Sequence, residues 1–167
     1  GYPYDVTYGD AFTVQPFGNT LLTLTLTAQQ LKNLLEQQFA GCLGQTTTRI
    51  LQVSNGLRYS WSNSGPACSK IVDVTFTPTD VTVTPPVVTG APESVVVGGV
   101  VQNPAKTYRV TVNNFIASGG DGFAVLLGGT GPLGGAQDID ALTAYLAGYR
   151  APFAAYDPTQ AALAIPR

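Results

Sequence analysis

Two stretches of this chain carry side chains that could engage a small molecule. The first runs Asn113-Asn114-Phe115-Ile116-Ala117-Ser118-Gly119-Gly120-Asp121-Gly122-Phe123. Its glycines let a ligand approach the backbone, Phe115 offers a flat apolar face, and the Asp121 carboxylate can accept two hydrogen bonds from a vicinal diol. The same residues also make an ordinary turn, because Asn-Asn and Gly-Gly-Asp-Gly both tolerate left-handed backbone. The second stretch is Pro16-Phe17-Gly18-Asn19. Its plainest reading is a hairpin connection in which Phe17 covers the core.

Histidine is absent from all 167 residues. That removes much chemistry, since zinc and two-metal hydrolytic sites commonly use its nitrogen as a ligand and Ser-His or Cys-His nucleophiles need it as base. A carboxylate-only magnesium site has little to build on, because Asp and Glu total 10 and group no more tightly than Asp138-Ile139-Asp140. Residues 128–135 are as glycine-rich as a phosphate-cradling loop, but no Gly-Lys-Ser/Thr follows, so a connector is expected there. Cys42 and Cys68 flank 25 residues without Cys-x-x-Cys spacing. They read either as the disulfide of an exported protein or as two buried free thiols.

With 44% hydrophobic and 11% charged residues, the chain has the composition of one globular domain. A net charge of -2 offers no basic surface, which argues against nucleic-acid polymers as partners. No apolar run approaches the ~20 residues that span a bilayer. Gly1-Tyr2-Pro3-Tyr4 is unlike a signal peptide, and the chain, lacking Met, is expected to be a piece of a longer product.

The elements that must carry the two stretches follow from hydrophobic period. Tyr108, Val110 and Val112 alternate with Arg109, Thr111 and Asn113, predicting a strand that stops where the first stretch begins. Phe12 with Val14, and then Leu22, Leu24 and Leu26, alternate with polar residues and predict two strands around Pro16–Asn19. Thr27-Ala28-Gln29-Gln30 has capping-box spacing and opens a helix through Leu31, Leu34 and Leu35 to near Gly41, its leucines forming core. Ile50–Val53 and Leu57–Trp61 predict a hairpin around Ser54-Asn55-Gly56, and Ile71–Phe76 a further strand. Pro78, Pro85, Pro86 and Pro92 predict an edge excursion or extended loop before the Val95-Val96-Val97 run. Asp138 starts a helix through Leu142, Tyr145 and Leu146, with acidic residues at its positive end. Strands outnumber helices, which predicts an α+β fold: a single-domain layered sandwich of mixed β-sheets with helices on the outer faces.

Together, Asn103-Pro104-Ala105-Lys106-Thr107-Tyr108-Arg109-Val110 and Asn114 to Phe123 resemble the signature of the 5'-nucleotidase C-terminal domain, which also occurs in periplasmic UDP-sugar hydrolases and animal ecto-5'-nucleotidases. Three more stretches resemble the family in the same order: Gln15–Asn19, Leu51–Tyr59 and Gln137–Asp140. The resemblance implies one domain over residues 1–167, the substrate-binding half of a secreted, periplasmic or cell-surface phosphoester hydrolase. It implies that the base of a nucleoside or nucleotide stacks between Phe17 and Phe115. Asn114 would then touch the base edge and Asp121 would accept the ribose hydroxyls, with Gly119 and Gly120 shaping the loop. Two divalent metal ions and the hydrolytic chemistry are implied for an N-terminal domain of the same parent chain, with no cofactor in this one. Nothing in Gly1 to Gln15 matches the family's phosphate-contacting Gly-Gly-Ile-Arg motif. The chain alone is therefore expected to be inactive. The alternative is a binding or adhesive module that keeps the fold without the chemistry.

Overall fold

The computed structural model describes residues 5–80 and 87–149, and the backbone of 165–166. In chain order the elements are α1 (Tyr8–Val14), β1 (Thr20–Thr27), α2 (Ala28–Gln37), β2 (Leu57–Trp61), β3 (Ile71–Phe76), β4 (Thr79–Asp80), β5 (Val87–Val88), β6 (Glu93–Val97), β7 (Val100–Val101), β8 (Thr107–Asn113), α3 (Asn114–Ala117), two 3-10 turns at Gly120–Gly122 and Ala124–Gly128, β9 (Thr130–Gln137), α4 (Asp138–Ala147) and β10 (Ile165–Pro166). They form a three-stranded sheet in the order β8-β1-β9, a five-stranded sheet in the order β10-β2-β3-β6-β7, and the small pair β4-β5. The pairings are antiparallel except β10 on β2, which makes the larger sheet mixed. This is the α+β layered class read from the sequence.

The placement of α2 refines that reading, because this helix lies between the two larger sheets rather than on an outer face. Leu31 and Leu35 join Tyr59, Trp61, Ile71, Val74, Val95 and Val96 in one core. Leu34 joins Leu24, Leu26, Ala117, Phe123 and Leu126 in the other. Each leucine buried in this way contributes about 1.5–3 kcal/mol relative to exposure. The predicted capping box is present: Thr27 N–H donates to Gln30 Oε1 at 2.8 Å and Gln30 N–H to Thr27 Oγ1 at 3.1 Å. Two further amides of the first turn donate into the loop before β8, Ala28 N to Lys106 O at 2.7 Å and Gln29 N to Pro104 O at 3.3 Å. The helix start is thereby tied to the strand that carries the first stretch.

Three expectations are corrected. The strand expected at Phe12 and Val14 is instead helix α1, opened by a capping box in which Thr7 N–H donates to Asp10 Oδ2 at 2.9 Å and Asp10 N–H to Thr7 Oγ1 at 3.2 Å. Two apolar residues are too few to set a period, and Tyr8 stacks on Phe12 at 6.3 Å across one helical turn. Residues 50–53 are not a strand, because the Leu51 amide donates to Gln38 Oε1 at 3.0 Å instead of to a ladder. The turn at Ser54 remains, with Leu57 N–H donating to Ser54 O at 3.0 Å, but β2 pairs with β3. The glycine-rich connector is also a strand: β9 pairs with the free edge of β1, Leu22 opposite Gly134 and Thr23 opposite Leu133, and exposes all eight of its residues. A backbone ladder needs no side chains, so an edge strand can form where the period is silent.

The proline-rich segment forms the β4-β5 excursion in part; Pro85 and Pro86 lie outside the described residues. Cys42 and Cys68 are bonded, with Cα atoms 5.0 Å apart. Of the two readings left open for the cysteines, the structure selects the disulfide. Among the described residues no helix is long and apolar enough to cross a membrane.

Candidate functional site

The β1-β8 ladder pairs Leu21 with Asn113, so the chain entering β1 and the chain leaving β8 meet at one end of the sheet. Two asparagines fasten that end. Asn113 caps α3 by accepting from Ile116 N–H at 2.9 Å, and Asn114 Oδ1 accepts from Thr20 N–H across the gap at 2.9 Å. Phe17 lies three residues before Thr20, and Phe115 follows Asn114 directly. Phe17 is 73% exposed and Phe115 48%. Phe17 therefore does not cover the core, as the hairpin reading had it.

Phe115 is packed from behind, whereas Phe17 sits on an anchored turn. A Cβ at Gly120 would stand 2.8 Å from Phe115 Cε1 and Cζ and 2.5 Å from Phe115 O, so only glycine permits this approach. On the other side, Asn19 O accepts from Asp138 N–H at 2.8 Å, which clamps the Phe17 turn onto the start of α4. Asp138 is only 3% exposed; its Oδ1 accepts from Ile139 N–H, and its Oδ2 is buried without a hydrogen-bond partner among the described residues.

The Gly-Gly-Asp-Gly segment does have the left-handed backbone that its residues suggest, with Gly119 at φ 85° and Asp121 at φ 53°. It is not an open loop, however. It is compacted into α3 and the first 3-10 turn. Asp121 O accepts from Gln45 Nε2 at 2.9 Å, and Gln45 is buried. Gln45 is in turn fastened beside the disulfide, its N–H donating to Cys42 O at 2.9 Å and its carbonyl accepting from Gly41 N–H at 2.8 Å. Arg49 Nε lies 3.7 Å from Asp121 Oδ1 at the surface.

The structure thus joins Thr20, three residues after Phe17, to Asn114 at one sheet end, and packs Gly120 against Phe115, with Gly119 and Asp121 on either side of Gly120 in sequence. Sequence reasoning missed Gln45 and Arg49 and saw Asp138 only as a helix start. Gln45 and Asp121 are 76 positions apart, and no local pattern links them. The chain has no histidine, and among the described residues there is no group of three or more His, Cys, Asp or Glu side chains that could hold a metal ion.

The profile of the family described as "5'-nucleotidase, C-terminal domain" matches residues 2–128. The chain belongs to this family. Relatives of this 5'-nucleotidase C-terminal domain include the 5'-nucleotidase-related protein of Glossina morsitans morsitans, 32% identical over 147 residues that are 85% of this chain and 23% of that protein. The trifunctional nucleotide phosphoesterase protein YfkN of Bacillus subtilis is 31% identical over 121 residues, 72% of this chain and 7% of that one. Among solved structures, the 5'-nucleotidase precursor of Thermus thermophilus superposes with a TM-score of 0.62 at 36% identity, covering 84% of this chain and 24% of its own. The chain therefore spans less than a quarter of these relatives. These likenesses agree with the family assignment and with the α+β class of the domain.

Proposed function

We propose that this domain is the nucleoside-binding half of a 5'-nucleotidase-type phosphohydrolase. A base enters between Phe17 and Phe115, each ring contributing about 1–3 kcal/mol of stacking with tolerance for base identity. The Asn114 carboxamide, its oxygen already taken by Thr20 N–H, offers its NH2 donors to an acceptor on the base edge. Asp121 accepts the ribose hydroxyls, and Gly119 and Gly120 keep the backbone beside it free of side chains. Residues 1–167 act as one domain of a secreted, periplasmic or cell-surface parent whose N-terminal domain supplies two divalent metals and the hydrolysis. The surface location is supported by a relative, the cell wall protein Lmo0130 of Listeria monocytogenes, 30% identical over 120 residues.

One observation supports the reading: Phe17 and Phe115 are both exposed, and although 98 positions apart they lie three residues and one residue from the two partners of the Thr20–Asn114 hydrogen bond at one end of the β1-β8 ladder. An adenosine titration of the chain tests it. Affinity on the order of 0.1–1 mM is expected, because the phosphate contacts and metals lie elsewhere. Asp121→Asn reduces the preference for ribose over deoxyribose, and the protein releases no phosphate from AMP with Mg, Mn, Co or Zn. Undetectable nucleoside binding would favour a binding or adhesive module, and metal-dependent turnover by the pure chain would overturn the division of labour.

A further inference from the structure

The Asp121 carboxylate is not alone at the proposed ribose edge. Arg49 Nε faces its Oδ1 at 3.7 Å, with the two side chains 44% and 47% exposed. Neither residue owes its position to the other: Arg49 N–H donates to Gln38 O at 2.8 Å, and Asp121 O accepts from the buried Gln45 Nε2 at 2.9 Å. At this exposure the attraction between them is weak, so the pair is two opposite charges presented side by side to solvent. A guanidinium has five N–H donors in a rigid plane, and an Nε facing Asp121 leaves both terminal nitrogens for a second anion.

We propose that Arg49 makes the ribose edge an anion subsite, so that the domain takes ribonucleosides carrying a phosphate on the 2' or 3' oxygen. The phosphate accepts from the terminal N–H groups of Arg49 while Asp121 accepts from the hydroxyl that remains. The proposal rests on Asp121 as the ribose acceptor. Without Arg49 that carboxylate would repel such a phosphate; with a cation beside it, the two anions are bridged. The phosphate is held there and not hydrolysed.

The test is calorimetric titration of the 167-residue protein and its Arg49→Gln and Arg49→Lys variants with adenosine, 2'-AMP, 3'-AMP and inorganic phosphate at low salt. Near-UV circular dichroism checks that the variants are folded. Wild type is expected to bind 2'-AMP or 3'-AMP more tightly than adenosine, and the better of the two identifies the oxygen. Arg49→Gln shifts that ratio against the phosphorylated ligand by about tenfold, with Arg49→Lys between. A ratio near one in wild type, or one that Arg49→Gln leaves unmoved, overturns the subsite while adenosine binding keeps the nucleoside reading intact. Inorganic phosphate binding as tightly as the nucleotides would mark an adventitious ion only and would also overturn it. If adenosine itself does not bind and Phe115→Ala changes nothing, both readings fall.

Discussion

The base half and the ribose half of the proposed site are built in different ways. The segments that carry Phe17 and Phe115 are anchored by two hydrogen bonds, Thr20 N–H to the Asn114 side-chain Oδ1 and Asp138 N–H to Asn19 O, with Gly120 packed against the Phe115 ring. Asp121 instead is held through its carbonyl by the Gln45 side chain, which is fastened next to the Cys42–Cys68 bond. Under the proposal, stacking rests on the sheet, whereas ribose recognition rests on the segment the disulfide closes. The two functions should therefore fail separately.

Breaking the disulfide gives the largest expected effect. Cys42→Ser with Cys68→Ser, or reduction, removes a closure spanning 26 positions, worth about 3 kcal/mol. For a domain of this size that lowers Tm by about 6–12 °C in calorimetry. Below the new Tm, preference for ribose over deoxyribose drops more than affinity for the base. An equal loss of both would erase the distinction between the halves.

Gly120→Ala probes the other half. The added Cβ meets the Phe115 ring and carbonyl, so Phe115 must shift at a cost of about 1–3 kcal/mol. Adenosine affinity falls while the disulfide and Gln45 stay in place. A crystal structure of the variant with Phe115 unmoved would contradict the bracing assigned to Gly120.

The smallest effect is acid–base, and it concerns the end of β8 remote from both halves. The Lys106 ammonium and then the Tyr108 hydroxyl hold the Glu93 carboxyl below its usual 4.5. Burial, and then Glu93, push Tyr108 above its usual 10.0. A depressed carboxyl stabilises the fold above about 4.5 and loses that contribution as pH falls through its folded value; a raised tyrosine contributes below about 10 and loses it as pH rises. Tm should therefore be flat between these limits and slope down outside them, with Glu93→Gln removing the acid slope. Ribose preference and base affinity should not change with that substitution.

Legibility follows the range of the interactions. The α2 capping box, the β8 alternation and the Asp138 helix start are each written within a few neighbouring residues and can be read there. α1 is misread when the Phe12 and Val14 alternation is weighed and the Thr7–Asp10 capping box is not. β9 is hidden because its backbone does the pairing and its glycines carry no period. In the site, Phe115 and Asp121 are legible by residue type. Gln45, Arg49 and the bracing role of Asp138 are not, since each acts on a residue 72 or more positions away and only the fold brings them together.

The central claim is that one base lies between Phe17 and Phe115. A crystal structure of the chain soaked with adenosine tests it most directly. The account predicts the base between the two rings, their centroids about 7 Å apart, twice a stacking distance, with the ribose hydroxyls on Asp121 and affinity largely lost in Phe115→Ala. A base bound elsewhere, or a Phe17 ring remote from Phe115 with adenosine bound, would contradict it.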